Sequence, residues 1–391
     1  MLSTRPSPLQ KTAPAPLLPA SGQPPVFRSV LSNLLKDPLL LLLLAVLALL
    51  TAFIPGKLKT YPALVDWPTI AALTGLLALT KALETSGALL RLGSWLMRWM
   101  ASERAAALSL VLAAALLSTV LTNDVALFVV VPLTLGVCRI TGMPATKLII
   151  FEALAVNAGS SLTPIGNPQN LFLWQLSGSS FGAFTLHMLP LVAVLMLLLL
   201  GLTFFAFSPR RVVARSEQPQ PLDRPLLWTA LVLYLPFLVA TDLHHAAWAL
   251  FVVLAVLLLM RPRVLLQLDW ALLLVFVLMF IDLRLLAGLD VVRQAMSHLD
   301  FASAKTVYAA GIAASQIISN VPAAIALAEY SKDWRTLAYA VNVGGFGLLL
   351  GSLANLIALR MAQDGKAWLR FHCYAVPFLL AAAVVGYLLL F

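Results

Sequence analysis

The chain has 391 residues, 61% of them hydrophobic and only 11% charged, with a mean hydropathy of +0.95 and a net charge of +10. A soluble domain has about 45–50% apolar and about 25% charged residues, so a water-soluble globule is excluded and an all-α polytopic membrane protein is expected. The positive charge then reads as the Lys and Arg bias of cytoplasmic loops rather than as a nucleic-acid footprint, and the two separated cysteines, Cys138 and Cys373, support neither a disulfide framework nor a thiolate metal site.

Residues 1–37 are rich in proline, among them Pro6, Pro8, Pro14 and Pro16. They are expected to form a disordered cytoplasmic tail without a signal-peptide cleavage site. From there the hydrophobic pattern predicts about nine spans, near 38–55, 65–85, 146–176, 186–207, 226–242, 246–260, 269–286, 335–361 and 372–391. Two re-entrant hairpins are expected near 105–138 and 303–331. Between the second span and the first hairpin, Leu89–Met100 carries Arg91 and Arg98 among Leu, Trp and Met, which suits a helix lying on the cytoplasmic face. The proline-containing linker 208–225 divides the chain into halves, 38–207 and 226–391. Placing the N-terminus inside puts most Lys and Arg in cytoplasmic segments and the C-terminus outside, as in a bacterial inner membrane. Spans 65–85 and 269–286 then run in opposite directions. Both begin Asp-Trp (Asp66-Trp67, Asp269-Trp270) and both carry a cation at the same offset (Lys81, Arg284). The halves are therefore expected to be inverted repeats.

The repeats are clearest in their polar residues. Ser118–Ala126 and Ser315–Ala323 align Asn123 with Asn320. Asn157, Gly166 and Asn170 align with Asn342, Gly351 and Asn355 at one constant offset. Asn, Gly and Pro inside apolar sequence predict two broken helices, and breaks at membrane depth persist only where they line a site. At the hairpin tips, Thr122-Asn123 and Ser319-Asn320 stand where one arm ends and the next begins. Unpaired N–H groups and a helix dipole there suit a small anion, with Thr163, Asn170 and Asn355 as further substrate contacts. N-capping alone is the plainer role for Thr122 and Ser319. Pro164 and Pro168 free upstream carbonyls, which with Asn157, Asn167 and Asn170 offer hard oxygen ligands for Na⁺. In the glycine-rich second break, close helix packing competes with that reading.

Ionisable residues in apolar spans mark pathways. Asp124, whose counterpart is Val321, and Glu152, just before the first break, are candidates to carry a coupling proton or cation. Lys81 and Glu84 are spaced to pair with each other, and Asp282 with Arg284 reads as interfacial. The five histidines, including the adjacent His244 and His245, fall near span ends and read as interfacial too. No Walker loop, HExxH, GxSxG or GxGxxG is found, so no enzyme and no organic cofactor is expected.

Thr122-Asn123-Asp124-Val125-Ala126, Glu152–Gly159, Thr163-Pro164-Ile165-Gly166-Asn167-Pro168-Gln169-Asn170 and Ser319-Asn320-Val321-Pro322 resemble the ion transporter superfamily of citrate, arsenite and divalent-anion/sodium transporters. The nearest likeness is to its anion-permease branch with a citrate-transporter-like domain, over roughly 38–391. The resemblance implies an elevator-type transporter, commonly a homodimer, with a scaffold and a moving domain. Substrate would lie between the tips, at Thr122, Asn123, Ser319 and Asn320. The cation would be held with Asn157, Gly159, Asn167, Asn342 and Gly344, giving Na⁺ positions at Asn123, Asn157, Asn320 and Asn342. The dicarboxylate members carry Ser-Asn-Thr at both tips, whereas this chain has Thr-Asn-Asp and Ser-Asn-Val.

The leading expectation is a secondary active transporter in the lipid bilayer, moving a small inorganic or carboxylate anion with Na⁺ or H⁺ by alternating access. An arsenite-type exporter, a Na⁺/H⁺ antiporter using Asp124 and Glu152, and a non-transporting receptor or scaffold are the alternatives.

Overall fold

The computed structural model describes residues 38–53, 55–89, 91–92, 101–211, 221–362 and 364–391. The proline-rich tail, most of the Leu89–Met100 surface helix and the centre of the 208–225 linker lie outside the described residues. Every regular element described is helical, and the only β pairing among them is an isolated bridge between Ser102 and Arg211.

In the first half the main helices are α1 (Pro38–Phe53), α2 (Trp67–Thr85), α3 (Glu103–Val120), α4 (Asn123–Thr141), α5 (Ala145–Ser160), α6 (Pro168–Ser177) and α7 (Phe181–Ala206). In the second they are α8 (Arg224–Asp242), α9 (Ala246–Met260), α10 (Trp270–Ala287), α11 (Asp290–Ser297), α12 (Ala304–Ile318), α13 (Asn320–Ala328), α14 (Trp334–Val343), α15 (Leu353–Ala362) and α16 (Ala367–Leu390). Short helices, Tyr61–Leu64 and Pro262–Leu266, precede α2 and α10.

The paired Asp-Trp motifs have a local explanation. Asp66 caps α2 by accepting from the Thr69 N–H at 3.0 Å, and Asp269 caps α10 by accepting from the Leu272 N–H at 2.9 Å. Each following Trp donates its indole N–H to a carbonyl five residues back, Trp67 to Pro62 and Trp270 to Leu265. One sequence motif thus builds the same helix entry twice.

Among the described residues, five helices are long and apolar enough to cross a membrane: α3, α7, α8, α10 and α16. α3 was expected as one arm of a re-entrant hairpin, but it has a full span's length. Large apolar side chains such as Phe205, Trp248 and Leu259 face outward, as lipid requires. At the centre the polarity is reversed. Every residue from Leu148 to Ser160 of α5 is buried, as is every residue from Thr336 to Val343 of α14. Each of these two helices stops abruptly, and the chain resumes as α6 and α15, so both expected breaks are present.

Packing around the breaks follows an exchange pattern. α3 and α4 pack on α5, as α12 and α13 pack on α14. α5 also packs on α15 and α14 on α6; α4 packs on α15 and α13 on α6. Each of these contacts around the breaks thus has a partner contact with the halves swapped.

Candidate functional site

The two breaks are joined by their asparagines, crosswise. Asn157, at the end of α5, donates its amide to Asn355 Oδ1 of α15 at 2.8 Å. Asn342, at the end of α14, donates to Asn170 Oδ1 of α6 at 2.6 Å. The constant offset pairs Asn157 with Asn342 and Asn170 with Asn355, so these bonds are each other's image. Around them, Asn342 Oδ1 accepts from Asn167 Nδ2 (3.0 Å) and Ser161 Oγ (2.9 Å). Asn170 Nδ2 donates to the Ser161 and Thr163 carbonyls, and Asn355 Nδ2 to the Gly345 carbonyl. The side-chain oxygens of Asn167, Asn170, Asn342 and Asn355 therefore each accept a bond from the protein itself. In a buried setting such a satisfied network fixes one arrangement of the breaks.

The turns before α4 and α13 are tied to the same breaks. The Asn123 N–H donates to the Gly166 carbonyl at 2.9 Å, and the Thr163 hydroxyl donates to the Thr119 carbonyl at 2.5 Å. Tyr234 of α8 donates to the Val120 carbonyl. The last carbonyls of α3, which have no partner within the helix, are closed off in this way. In the other half Gln316 of α12 ties that helix to the second break, donating to the Gly344 carbonyl at 2.6 Å and accepting from the Leu348 N–H at 2.8 Å. Thr163, expected to touch substrate, has its hydroxyl proton in this tie. The glycines are packing residues: a Cβ on Gly159 would run into the Ala115 backbone, and one on Gly344 would lie 2.5 Å from the Ser315 side chain. A Cβ on Gly166 would meet the Ser118 carbonyl at 2.8 Å. Close helix approach, weighed at sequence level for the second break alone, holds in both.

What is left uncommitted is a small set of buried oxygens. Thr122 Oγ1 and Asp124 Oδ1 at the start of α4, Ser352 Oγ at the start of α15 and Gln169 Oε1 in α6 have no hydrogen-bond partner. α4 packs on α15, so the first three sit at the starts of two neighbouring helices. Thr122 is the N-cap residue of α4 yet makes no capping bond, and Ser319 precedes α13 likewise without one. The plain N-cap role is thus not the one their hydroxyls perform. Ser319 also has φ +74° and ψ 156°, a conformation that L-residues avoid and that costs about 1–3 kcal/mol. Asn320 lies against the second break and near the first: a Cβ on Gly345 would be 3.0 Å from Asn320 Nδ2 and 3.9 Å from Asn157 Cγ.

The uncommitted set is made of hard oxygens, which fit Na⁺ or a proton better than a transition metal. No group of three or more His, Cys, Asp or Glu is placed to hold a metal among the described residues. Glu152 is fully buried, accepting from the Thr134 hydroxyl and leaving Oε2 unpartnered. Lys81 and Glu84 pair as their spacing indicates, at 3.0 Å. Asp282 and Arg284 do not form a unit: Arg284 bonds to Glu329 Oε1 (3.0 Å) and to the Leu64 carbonyl (2.6 Å), while Asp282 is buried and unpartnered. Ser352, Gln169 and Asp282 were not singled out for the site at sequence level. Ser352 was findable as the counterpart of Asn167 at the shared offset, and Gln169 as the polar residue inside the quoted Thr163–Asn170 run.

Residues 30–336 match the citrate transporter family CitMHS. The chain is 50% identical to inner membrane protein YbiR of Escherichia coli K12, covering 87% of this chain and 92% of that protein. It is 32% identical to uncharacterized transporter MJ0456 of Methanocaldococcus jannaschii over 79% of this chain and 84% of that one. A shorter match, 26% over 124 residues, reaches 32% of this chain and 22% of the putative transporter arsB of Dictyostelium discoideum.

Proposed function

The chain belongs to the citrate transporter family, CitMHS, and from that premise we propose that it is a secondary active transporter of a small anion, coupled to Na⁺ or H⁺ by alternating access. The solute would be held by the turns at Thr122-Asn123 and Ser319-Asn320, with the coupling cation at the free oxygens of Thr122, Asp124 and Ser352. The crossed asparagines would hold the two broken helices as one unit while that unit moves past α1, α2, α8, α9 and α10. This reading takes the halves as inverted repeats and the turns as tips of re-entrant hairpins. It places the protein in an inner membrane, in keeping with the Escherichia coli relative, inner membrane protein YbiR, with the N-terminus inside by the Lys and Arg bias.

One observation carries the coupling. Among the described residues, the charged side chains that are buried are acids, Glu152 and Asp282, and no Lys or Arg is buried with them. An anion entering this site would meet helix N-termini and amides, with no fully buried basic side chain among the described residues. Its charge must then be offset by a cation that binds with it. The same observation favours, as a second reading, a neutral oxyacid of the arsenite type, which needs no such partner.

Thermal-shift measurement on the purified protein tests both. Citrate, sulfate, phosphate and arsenite are offered in Na⁺ or K⁺ and at several pH values. Binding to the folded state raises Tm by mass action. A shift that requires Na⁺ or low pH supports coupled anion binding; a cation-independent shift with arsenite alone selects the second reading. Asn123→Ala and Asn320→Ala should each abolish the shift and the uptake of that solute into proteoliposomes while the protein stays folded. Wild-type uptake in both variants removes the turns from the site.

A further inference from the structure

Asp282 lies in α10, outside the two broken helices, and is 1% exposed. Both of its carboxylate oxygens are buried without a hydrogen-bond partner. Glu152, equally buried, at least accepts from Thr134. An ionised carboxylate with neither a hydrogen bond nor a counter-ion is among the least stable groups in a membrane interior, and it relieves that state by taking up a proton.

The surrounding charges do not offer another solution. α10 packs on α1, α2, α13, the Tyr61–Leu64 helix and α11. α1 and α13 contain no ionisable side chain. On α2, Lys81 and Glu84 bond to each other, and Asp66 caps the helix. The Tyr61 hydroxyl pairs with Thr51. α11 carries Asp290 and Arg293, and neither bonds to Asp282. Within α10 itself, Asp269 is the N-cap and Arg284 is held by Glu329 and the Leu64 carbonyl. The counterpart of Asp282 in the first half, by the Asp66–Asp269 offset, is Leu79, also buried. The carboxyl is therefore not required by the fold.

We propose that Asp282 is a second proton-binding site of this protein, separate from the turns and breaks. Its place gives the proton something to act on. Glu329 follows α13 directly, and its bond with Arg284, together with the Tyr330 hydroxyl donating to the Ala287 carbonyl at 3.1 Å, latches that end of α13 to α10. The other end of α13 carries Ser319-Asn320. Neutral Asp282 leaves Arg284 to Glu329. Ionised Asp282 places an unpartnered buried charge in the helix that carries Arg284, a state that is relieved when α10 opens to water, and that opening loosens the latch. The inference does not depend on which solute is carried, or on any being carried.

Infrared spectroscopy of the full chain in lipid nanodiscs tests it. The wild-type spectrum minus that of Asp282→Asn should contain one protonated-carboxyl band at neutral pH. That band should give way to carboxylate bands as the pH is raised. Asp124 and Glu152 are common to both samples and cancel. A carboxylate signal already present at neutral pH overturns the proposal, because the group is then ionised. A protonated band that persists at all pH values overturns it too, because the acid is then a fixed structural group. If Asp282→Asn does not fold, Asp282→Glu serves: the same band should move rather than vanish, and an unmoved band rejects the assignment.

Discussion

Asn167 and Ser352 hold the same position in the two broken helices, one residue before the half-helix that follows, and they behave differently. Asn167 caps α6 by accepting from the Asn170 N–H at 2.9 Å and also reaches Ser160 and Asn342. Ser352 leaves its hydroxyl without a partner at the start of α15. The turns differ in a related way. Thr122 has an ordinary extended backbone with φ −65° and ψ 149°, whereas Ser319 is held at φ +74°. The carboxyls are unpaired between halves as well: Asp124 stands opposite Val321, and Glu152 opposite Leu337. Matched asparagines hold the two halves together, and the unmatched residues at the same places leave the reactive oxygens. Within the breaks the matched asparagines are thus architectural, and the oxygens confined to one half, those of Asp124 and Ser352, are the candidates for the cation, while the matched Asn123 and Asn320 stay with the solute.

The sharpest way to break this comparison is to remove the crossed bonds one at a time. Asn342→Ala deletes the donor to Asn170 Oδ1 and the acceptor of Asn167 and Ser161. Asn157→Ala deletes the donor to Asn355 Oδ1. A buried group left without its partner costs about 1–3 kcal/mol. Asn342→Ala should lose roughly 3 kcal/mol with its additional partners, and Asn157→Ala about half that, read as Tm or denaturation midpoint in detergent. Equal losses would mean that the extra partners of Asn342 contribute nothing. No loss in either would mean that the asparagines are free to bind ions instead.

A smaller effect is expected at Ser319, and with opposite signs in two assays. Glycine adopts φ +74° without strain, so Ser319→Gly should stabilise the fold by about 1 kcal/mol. It should also weaken solute binding by removing the hydroxyl. Thr122→Gly, with no strain to relieve at φ −65°, should only destabilise. If both glycine variants lose stability alike, the backbone contrast between the turns has no energetic meaning.

Much of this centre was legible in the sequence. The offset between Asn157 and Asn342 also links Asn170 with Asn355, and the Thr163–Asn170 run announced a break. Alignment says which residues correspond; it does not say which ones touch. Asn157 bonds to Asn355 and not to its own counterpart, because the end of α5 meets the start of α15 across the centre. Side-chain commitment was hidden for a related reason. Thr163 looks like a ligand until its hydroxyl is seen to close the end of α3 at Thr119. Asp282 and Arg284, read together as interfacial, part company because residues two apart on a helix face different ways: Arg284 bonds to Glu329 and Asp282 lies in the interior. Lys81 and Glu84, three apart, met as that geometry allows.

The smallest effect is expected where the two broken helices are tied at their outer ends. Asp364, just after α15, accepts from the Lys366 N–H at 2.9 Å, from the Thr146 hydroxyl in the first turn of α5 at 2.8 Å and from Arg370 at 3.1 Å. The Lys366 N–H first, then the Thr146 hydroxyl and the Arg370 charge, hold its carboxyl below the usual carboxylate range. A carboxyl whose folded pKa is lowered contributes stability that is fully present above the unfolded value of about 3.9. The contribution is lost as the pH falls through the folded value. Asp364→Asn should therefore lower Tm slightly at neutral pH, less than any substitution at the crossed asparagines, and the gap to wild type should close in strong acid. Because the group is open to solvent, added salt should narrow the same gap. A deficit that persists unchanged at acid pH would mean that shape, not charge, joins α15 to α5. A deficit as large as that of Asn342→Ala would move the junction between the halves from their centre to their rim.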